Sequence, residues 1–232
     1  MTASATVLAQ LRNRRRAERE LTVAAFGDPA CPAAGIQVAS LSLPPLPHSR
    51  AEVEGLARLF PGRTTTWLGE DATEERAKTV GTTVSVVHFA AHGMTDERRP
   101  LSSALVLAIP KQAGAENGLL QAWEVFEQVR LDADLVTLSA CETALGREVA
   151  GEGILGLTRA FQYAGARSVL ASLWNVADAS TAELMLGFYS NLRSRMPKDE
   201  ALRQAQLAAI HGEGETAHPF FWAAFELVGD WR

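Results

Sequence analysis

The sequence predicts an α/β fold, a three-layer sandwich with a mostly parallel central sheet flanked by helices. Three observations predict it. Short β-rich runs alternate with longer stretches of helical periodicity along the chain. Two of those runs, TTVSVVHFA (82–90) and DLVTLSA (134–140), carry little polarity, as suits strands covered on both faces. And 232 residues, 47% of them hydrophobic, supply one sizeable core.

The elements follow in order. Residues 1–20 are polar, Ala-rich and basic, and stand apart from a single domain spanning 21–232. The run 21–26 reads as a strand closed by Gly27-Asp28-Pro29. Residues 30–49 hold Pro32, Pro44, Pro45 and Pro47, which marks an irregular connection. Ser49-Arg-Ala-Glu52 resembles a capping box, so a helix is expected from there to Phe60. A short strand follows at 63–68, then a helix capped by Asp71 or Thr73. The strand 82–90 ends at Ala91-His92-Gly93. Residues 103–109 read as a strand, 111–118 as an exposed loop and 119–129 as a helix. The strand 134–140 ends at Cys141. A glycine-rich stretch, 146–153, precedes a helix at 154–163 that Gly165 stops. Then come a strand at 167–173, helices at 180–193 and 198–210, and a last strand at 220–228.

Composition excludes several function classes. The formal charge of -5 argues against a nucleic-acid binder. Arg12, Arg14, Arg15, Arg16 and Arg19 are a local exception, read as a solvated helix or tail or else as an arm for an acidic partner. No run is long and apolar enough to span a membrane, and no apolar segment precedes the arginines as in a secretory signal. The two cysteines, Cys31 and Cys141, make no disulfide framework, and a reducing, cytoplasmic setting is expected. No metal or other cofactor is expected, because no third ligand stands at recognisable spacing from His88, His92 or Cys141. No G-x-G-x-x-G segment follows the first strand, which removes a dinucleotide site.

The chemistry collects at strand ends. Open α/β sheets bind ligands at the carboxyl ends of their strands. Three strands here end in His92-Gly93, in Cys141-Glu142-Thr143 and in Trp174-Asn-Val-Ala-Asp178. A thiol deprotonated beside a histidine is a strong nucleophile. Cys141 fits that role, with small residues before it and Gly146, Gly151 and Gly153 after it. His92, 49 positions upstream, can take the thiol proton and return it to a leaving amine. The backbone N–H groups of Gly93 and Cys141 are the candidate oxyanion hole. A buried inert cysteine and a histidine that merely ends a strand are the competing readings. His88 reads as an interior histidine hydrogen-bonded to nearby loops, Trp174 as a pocket wall or core residue, and Asp178 as a helix cap.

A wider pattern bears on the choice. Caspases carry Q-A-C-x-G with a histidine about 50 residues upstream. Here only Ala140-Cys141 matches the short motif, while the separation agrees. HFAAHG (88–93), SALVLA (103–108), DLVTLSACETALG (134–146), GEGILGLTRAFQYAGARSVLASLWNVAD (151–178) and HPFFWAAFELVGD (218–230) together resemble the CHAT domain, a caspase-like peptidase domain often attached to tetratricopeptide repeats. FGDP (26–29) and LGEDAT (68–73) extend the likeness to roughly 21–232. The resemblance implies a caspase-like sandwich and peptide-bond hydrolysis by a His92–Cys141 dyad. In the related separases an aspartate in the segment matching LWNVAD lines the pocket for a basic P1 side chain, so the resemblance gives that role to Asp178. Trp174 would stand beside it in the substrate site. The partners implied are a protein substrate and a regulatory protein supplied in trans, with no nucleic acid and no membrane. No tetratricopeptide array is visible in the sequence. A protein-interaction module of the same fold that cleaves nothing is the alternative, and a thiol-dependent amidohydrolase is a further one.

Overall fold

The computed structural model describes residues 20–30, 43, 45–110, 116–139, 141–144, 152–212 and 214–232. The arginine-rich segment, Cys31, most of the proline-rich connection, residues 111–115 and the glycine-rich stretch after Ala144 lie outside the described residues.

Among the described residues ten strands form two sheets. They are β1 (Val23–Pro29), β2 (Thr64–Gly69), β3 (Val86–Ala90), β4 (His92–Thr95), β5 (Ala104–Val106), β6 (Leu119–Gln121), β7 (Leu135–Leu138), β8 (Cys141–Ala144), β9 (Ser168–Ser172) and β10 (Phe225–Gly229). The helices are α1 (Pro47–Leu59), α2 (Glu74–Lys78), α3 (Ala122–Gln128), α4 (Glu152–Ala164), α5 (Asp178–Arg193), α6 (Lys198–Ile210) and the single turn α7 (Pro219–Trp222). The central sheet has the order β10-β9-β7-β3-β1-β2, parallel except for β10, which runs antiparallel to β9. A smaller sheet of order β6-β5-β4-β8 sits beyond the carboxyl ends of β3 and β7.

Alternation along the central strands builds the three layers. Val23 and Ala25 of β1 join a core with α1, α5 and α6, while Ala24 and Phe26 join a second core with α3 and α4. Val86 and Val87 of β3, and Leu135 and Val136 of β7, divide in the same way. A sheet buried on both faces must be apolar on both, which is why its strands read as near-continuous hydrophobic runs. Helix α1 packs close on β1 because Gly27 has no side chain. A Cβ there would meet Val53 Cγ2 at 2.6 Å and the Ser49 carbonyl at 2.9 Å. Gly165, with φ 123°, turns the chain out of α4 in a left-handed conformation, and its Cα lies against the Leu131 carbonyl.

Four expectations change. Ser49 and Glu52 are not a capping box. Helix α1 starts at Pro47, which favours a first helical turn, so both residues fall inside it and are buried. Ser49 Oγ donates to the Leu46 carbonyl and accepts from Asp28 N. Residues 119–129 split into β6 and α3, because Leu119–Gln121 pairs with β5 and the capping box Gln121/Glu124 starts the helix. Residues 220–228 split into α7 and β10, since Pro219 opens a helical turn. His92-Gly93 and Cys141-Glu142 are not loops but lie within β4 and β8.

The smaller sheet is tied to α2 by an ion cluster. Thr73 Oγ1 caps α2 by accepting from Arg76 N. Lys78 Nζ then sits 2.7 Å from a carboxylate oxygen of each of Glu74, Glu116 and Glu124. Glu74 Oε2 also accepts from the N–H groups of Asn117 and Gly118, the turn that leads into β6. Three carboxylates face one ammonium, so the cluster retains an excess of negative charge. Burial first, then its hydrogen bond to Glu116, pushes the Glu74 carboxyl up to about 7. Replacing Lys78 with Met would leave three carboxylates unpaired and should cost about 3–5 kcal/mol in urea denaturation. A carboxyl whose folded pKa lies above its unfolded value is held protonated by the fold, so its contribution is lost as pH rises through that interval. The wild type should therefore lose stability relative to Glu74→Gln between about pH 4.5 and 7, read from urea midpoints across that range.

Candidate active site

The site follows from strand order. Parallel strands β9, β7 and β3 are immediate neighbours, so the three chemically loaded segments emerge at one edge, as the sequence implies. The chain moves from β1 outward to β2, then back across to β3 and on to β7. The order therefore reverses between β1 and β3, the kind of switch point where α/β sheets bind ligands.

Beyond that edge, His92 and Cys141 are direct partners. Strands β4 and β8 pair in parallel, with His92 opposite Cys141, Gly93 opposite Glu142 and Met94 opposite Thr143. Neighbouring strands run ~4.8 Å apart. The two backbones are thus as close as a sheet allows. Gly93 lies between Leu105 of β5 on one side and Glu142 of β8 on the other. The His92 ring is buried, 4% exposed.

Asp178 stands at the first turn of α5. It is not the cap, a position held by Ala177. Its Oδ2 accepts a hydrogen bond of 2.6 Å from His48 N, which ties the start of α1 to the start of α5. Burial raises its carboxyl above the usual range. The Glu52 charge adds to that, while the His48 N–H and electrostatic interaction with His48 and His92 oppose it. Asp178, His92 and Glu52 therefore share one electrostatic neighbourhood. Trp174 is half-buried after β9, and its Nε1 donates 2.9 Å to the Phe220 carbonyl. Ser139, two residues before Cys141, is buried and its Oγ has no hydrogen-bond partner among the described residues.

Beneath the edge lies a polar network that sequence reasoning missed in part. His88 is fully buried in β3. Its Nδ1 lies 3.1 Å from the Tyr189 hydroxyl, and that hydroxyl lies 2.7 Å from Thr137 Oγ1. Its Nε2 lies 2.9 Å from Glu52 Oε1. The partners come from α1, α5 and β7 rather than from loops. Burial pushes the Tyr189 phenol upward, so it remains protonated and can donate. Glu52 was legible only as a capping-box residue, and nothing local in the sequence marks Tyr189 or Thr137. The one available signal was the position of His88 in an apolar strand, where a buried imidazole requires partners.

Glu74, Glu116 and Glu124 are the described carboxylates close enough together to suggest a cation, and the Lys78 ammonium already occupies their centre.

Removing the Tyr189 hydroxyl withdraws a partner from both His88 and Thr137. Tyr189→Phe should cost about 1–3 kcal/mol, seen as a lower urea midpoint. Thr137→Val combined with it should cost less than the sum of the two single changes, because both act on one contact.

Comparison with known proteins gives the likeness its extent. Residues 1–230 match the family model described as CHAT domain. Tetratricopeptide repeat protein 28 of Mus musculus is 30% identical over 192 residues, 70% of this chain, and the Homo sapiens protein of that name matches equally. This chain spans only 8% of the length of either. Among solved structures, the Saccharomyces cerevisiae separase–securin complex matches with a TM-score of 0.59 at 12% identity, covering 98% of this chain and 13% of that one. The Arg-specific cysteine proteinase gingipain R matches with a TM-score of 0.54 at 12% identity, covering 92% of this chain and 49% of that one. At such identity these two matches speak to fold, and the fold is the caspase-like sandwich.

Proposed function

The chain belongs to the CHAT-domain family, and on that premise we propose that it is a cysteine endopeptidase acting through Cys141 and His92. The observation that carries this reading is the pairing of His92 with Cys141 across adjacent parallel strands. In the proposed reaction His92 removes the Cys141 proton, and the thiolate attacks the scissile carbonyl carbon. The N–H groups of Gly93 and Cys141 donate to the resulting oxyanion. His92 returns the proton to the leaving amine as the peptide bond breaks. Water then hydrolyses the thioester, and His92 takes its proton and gives it back to Cys141.

Asp178 is proposed to receive a basic P1 side chain, with Trp174 beside it. In support, Asp178 is a half-buried carboxylate at the same sheet edge, within the electrostatic reach of His92. An arginine or lysine would relieve the burial of its charge. The substrate proposed is a protein, in a reducing cytoplasmic setting, with activity gated by a protein supplied in trans. No helix among the described residues is long and apolar enough to cross a membrane.

A mixed peptide library with and without the candidate activator tests the reading. Cleavage should follow Arg or Lys. Cys141→Ala should abolish it, and His92→Ala should lower kcat/KM by at least ~10². Iodoacetamide should modify Cys141 ahead of Cys31, as read by mass spectrometry. Proteolysis that survives both substitutions would remove the dyad. Asp178→Asn should weaken cleavage after Arg and Lys more than after neutral residues; an unchanged P1 profile would remove Asp178 from the pocket.

A further inference from the structure

The amino-terminal edge of the central sheet, opposite the candidate dyad, holds a cleft of about 610 Å³. It opens where the chain enters its strands. Leu21 precedes β1, Arg63 precedes β2, Val86 begins β3, Leu135 begins β7 and Arg167 precedes β9. Its size falls within the range of small-molecule pockets.

Its charge is opposite to that of the whole chain. Arg63, Arg167, Arg193, Arg195, Lys198 and Arg232 line it together with two carboxylates, Glu20 and Asp134, and Asp230 stands beside Arg167. Part of that charge is already balanced. Arg63 pairs with Glu20 at 3.5 Å, and Arg167 reaches Asp230 at 3.2 Å and Asp134 at 3.7 Å. Arg193 and Arg232 form no ion pair among the described residues and are exposed. Lys198 is only 7% exposed, and its Nζ reaches the Asp134 carbonyl at the long distance of 3.5 Å. Burial lowers its pKa foremost, a cost that an anion in the cleft would offset. Between these cations lies an apolar floor that includes Phe60, Leu192 and Met196. Arg193 and Arg232, exposed on a concave, partly apolar surface that also holds Lys198, match a phosphate-bearing ligand, since planar N–H forks pair with phosphate oxygens bidentately.

We propose that this cleft binds an organic phosphate of about mononucleotide size, with its phosphates on the arginine rim and its apolar ring on the Phe60, Leu192 and Met196 floor. The site is separate from the candidate dyad, and the proposal does not depend on the peptidase reading.

Thermal denaturation of the full chain with ATP, inorganic tripolyphosphate, adenosine or sodium sulfate at matched ionic strength tests it. Millimolar ATP should raise Tm by roughly 3 °C or more. Tripolyphosphate should act less, and adenosine and sulfate least. Added NaCl should reduce the ATP effect, because exposed charges are screened. Arg193→Glu and Arg232→Glu should each reduce the ATP shift at least by half, while Arg98→Glu, on the exposed loop after β4, should leave it intact. Circular dichroism and ligand-free Tm confirm that each variant is folded. If the Tm with ATP equals that with sulfate, or if the shift survives both cleft substitutions in folded protein, the proposal falls. If tripolyphosphate matches ATP, the apolar floor is not a ring site and the assignment of an organic ligand falls.

Discussion

One register holds the candidate site together. From Val86 opposite Leu135 to Phe89 opposite Leu138, β3 and β7 pair with a constant offset. The chain then leaves the central sheet at Ala91 and at Ser139, and β4 and β8 resume pairing with the same offset, from His92 opposite Cys141 to Thr95 opposite Ala144. The histidine-to-cysteine spacing is therefore the strand register itself. A slip by one residue would exchange every side chain between faces. It would move Val86 and Leu135 out of the core with α1 and α5, and Val87 and Val136 out of the core with α3 and α4. It would also carry His88 away from Glu52 and Tyr189. Burial on both faces and one polar network thus enforce the same alignment, and His92 inherits it.

The polar network joins four elements at one point. Placing Glu52, His88, Tyr189 and Thr137 in an apolar interior carries a desolvation cost that their mutual contacts offset only in one arrangement. That arrangement needs α1, β3, β7 and α5 together. Helix α1 and helix α5 are joined again at their starts by His48 N and Asp178 Oδ2. On the other flank, Lys78 gathers Glu74, Glu116 and Glu124 and so holds β6, which pairs with β5, which pairs with β4. The strand bearing His92 is fixed from both sides.

Much of the fold was legible because burial writes a periodic pattern. Helix α6 was read at its full length, and 82–90, 134–140 and 167–173 all contain central strands. The errors have a common physical origin. Ser49–Glu52 has the composition of a capping box, but a proline two residues earlier starts the helix and tertiary contacts claim both side chains. Residues 119–129 are apolar at helical spacing, yet the first three are needed at a sheet edge. His88 was read as an interior histidine and lies inside a central strand, but His92 was read as a strand end, and the break at Ala91 instead places it inside a second sheet. Nothing within a few residues of Tyr189 or Lys78 announces a partner more than 30 positions away.

Charge was the least legible quantity, because composition averages over space. A net charge of -5 suggests a uniformly acidic surface. The fold instead gathers cations at the amino edge of its parallel strands. Asp178 interacts with both Glu52 and His92 at the carboxyl end, whereas six cations gather around Glu20, Asp134 and Asp230 at the amino end. Parallel topology makes this gathering possible, since every turn that enters a strand lies at one edge and every turn that leaves lies at the other. Arginines far apart in sequence, such as Arg63, Arg167 and Arg193, therefore converge without any linear motif. Each end of the sheet thus has a local field that the total charge conceals.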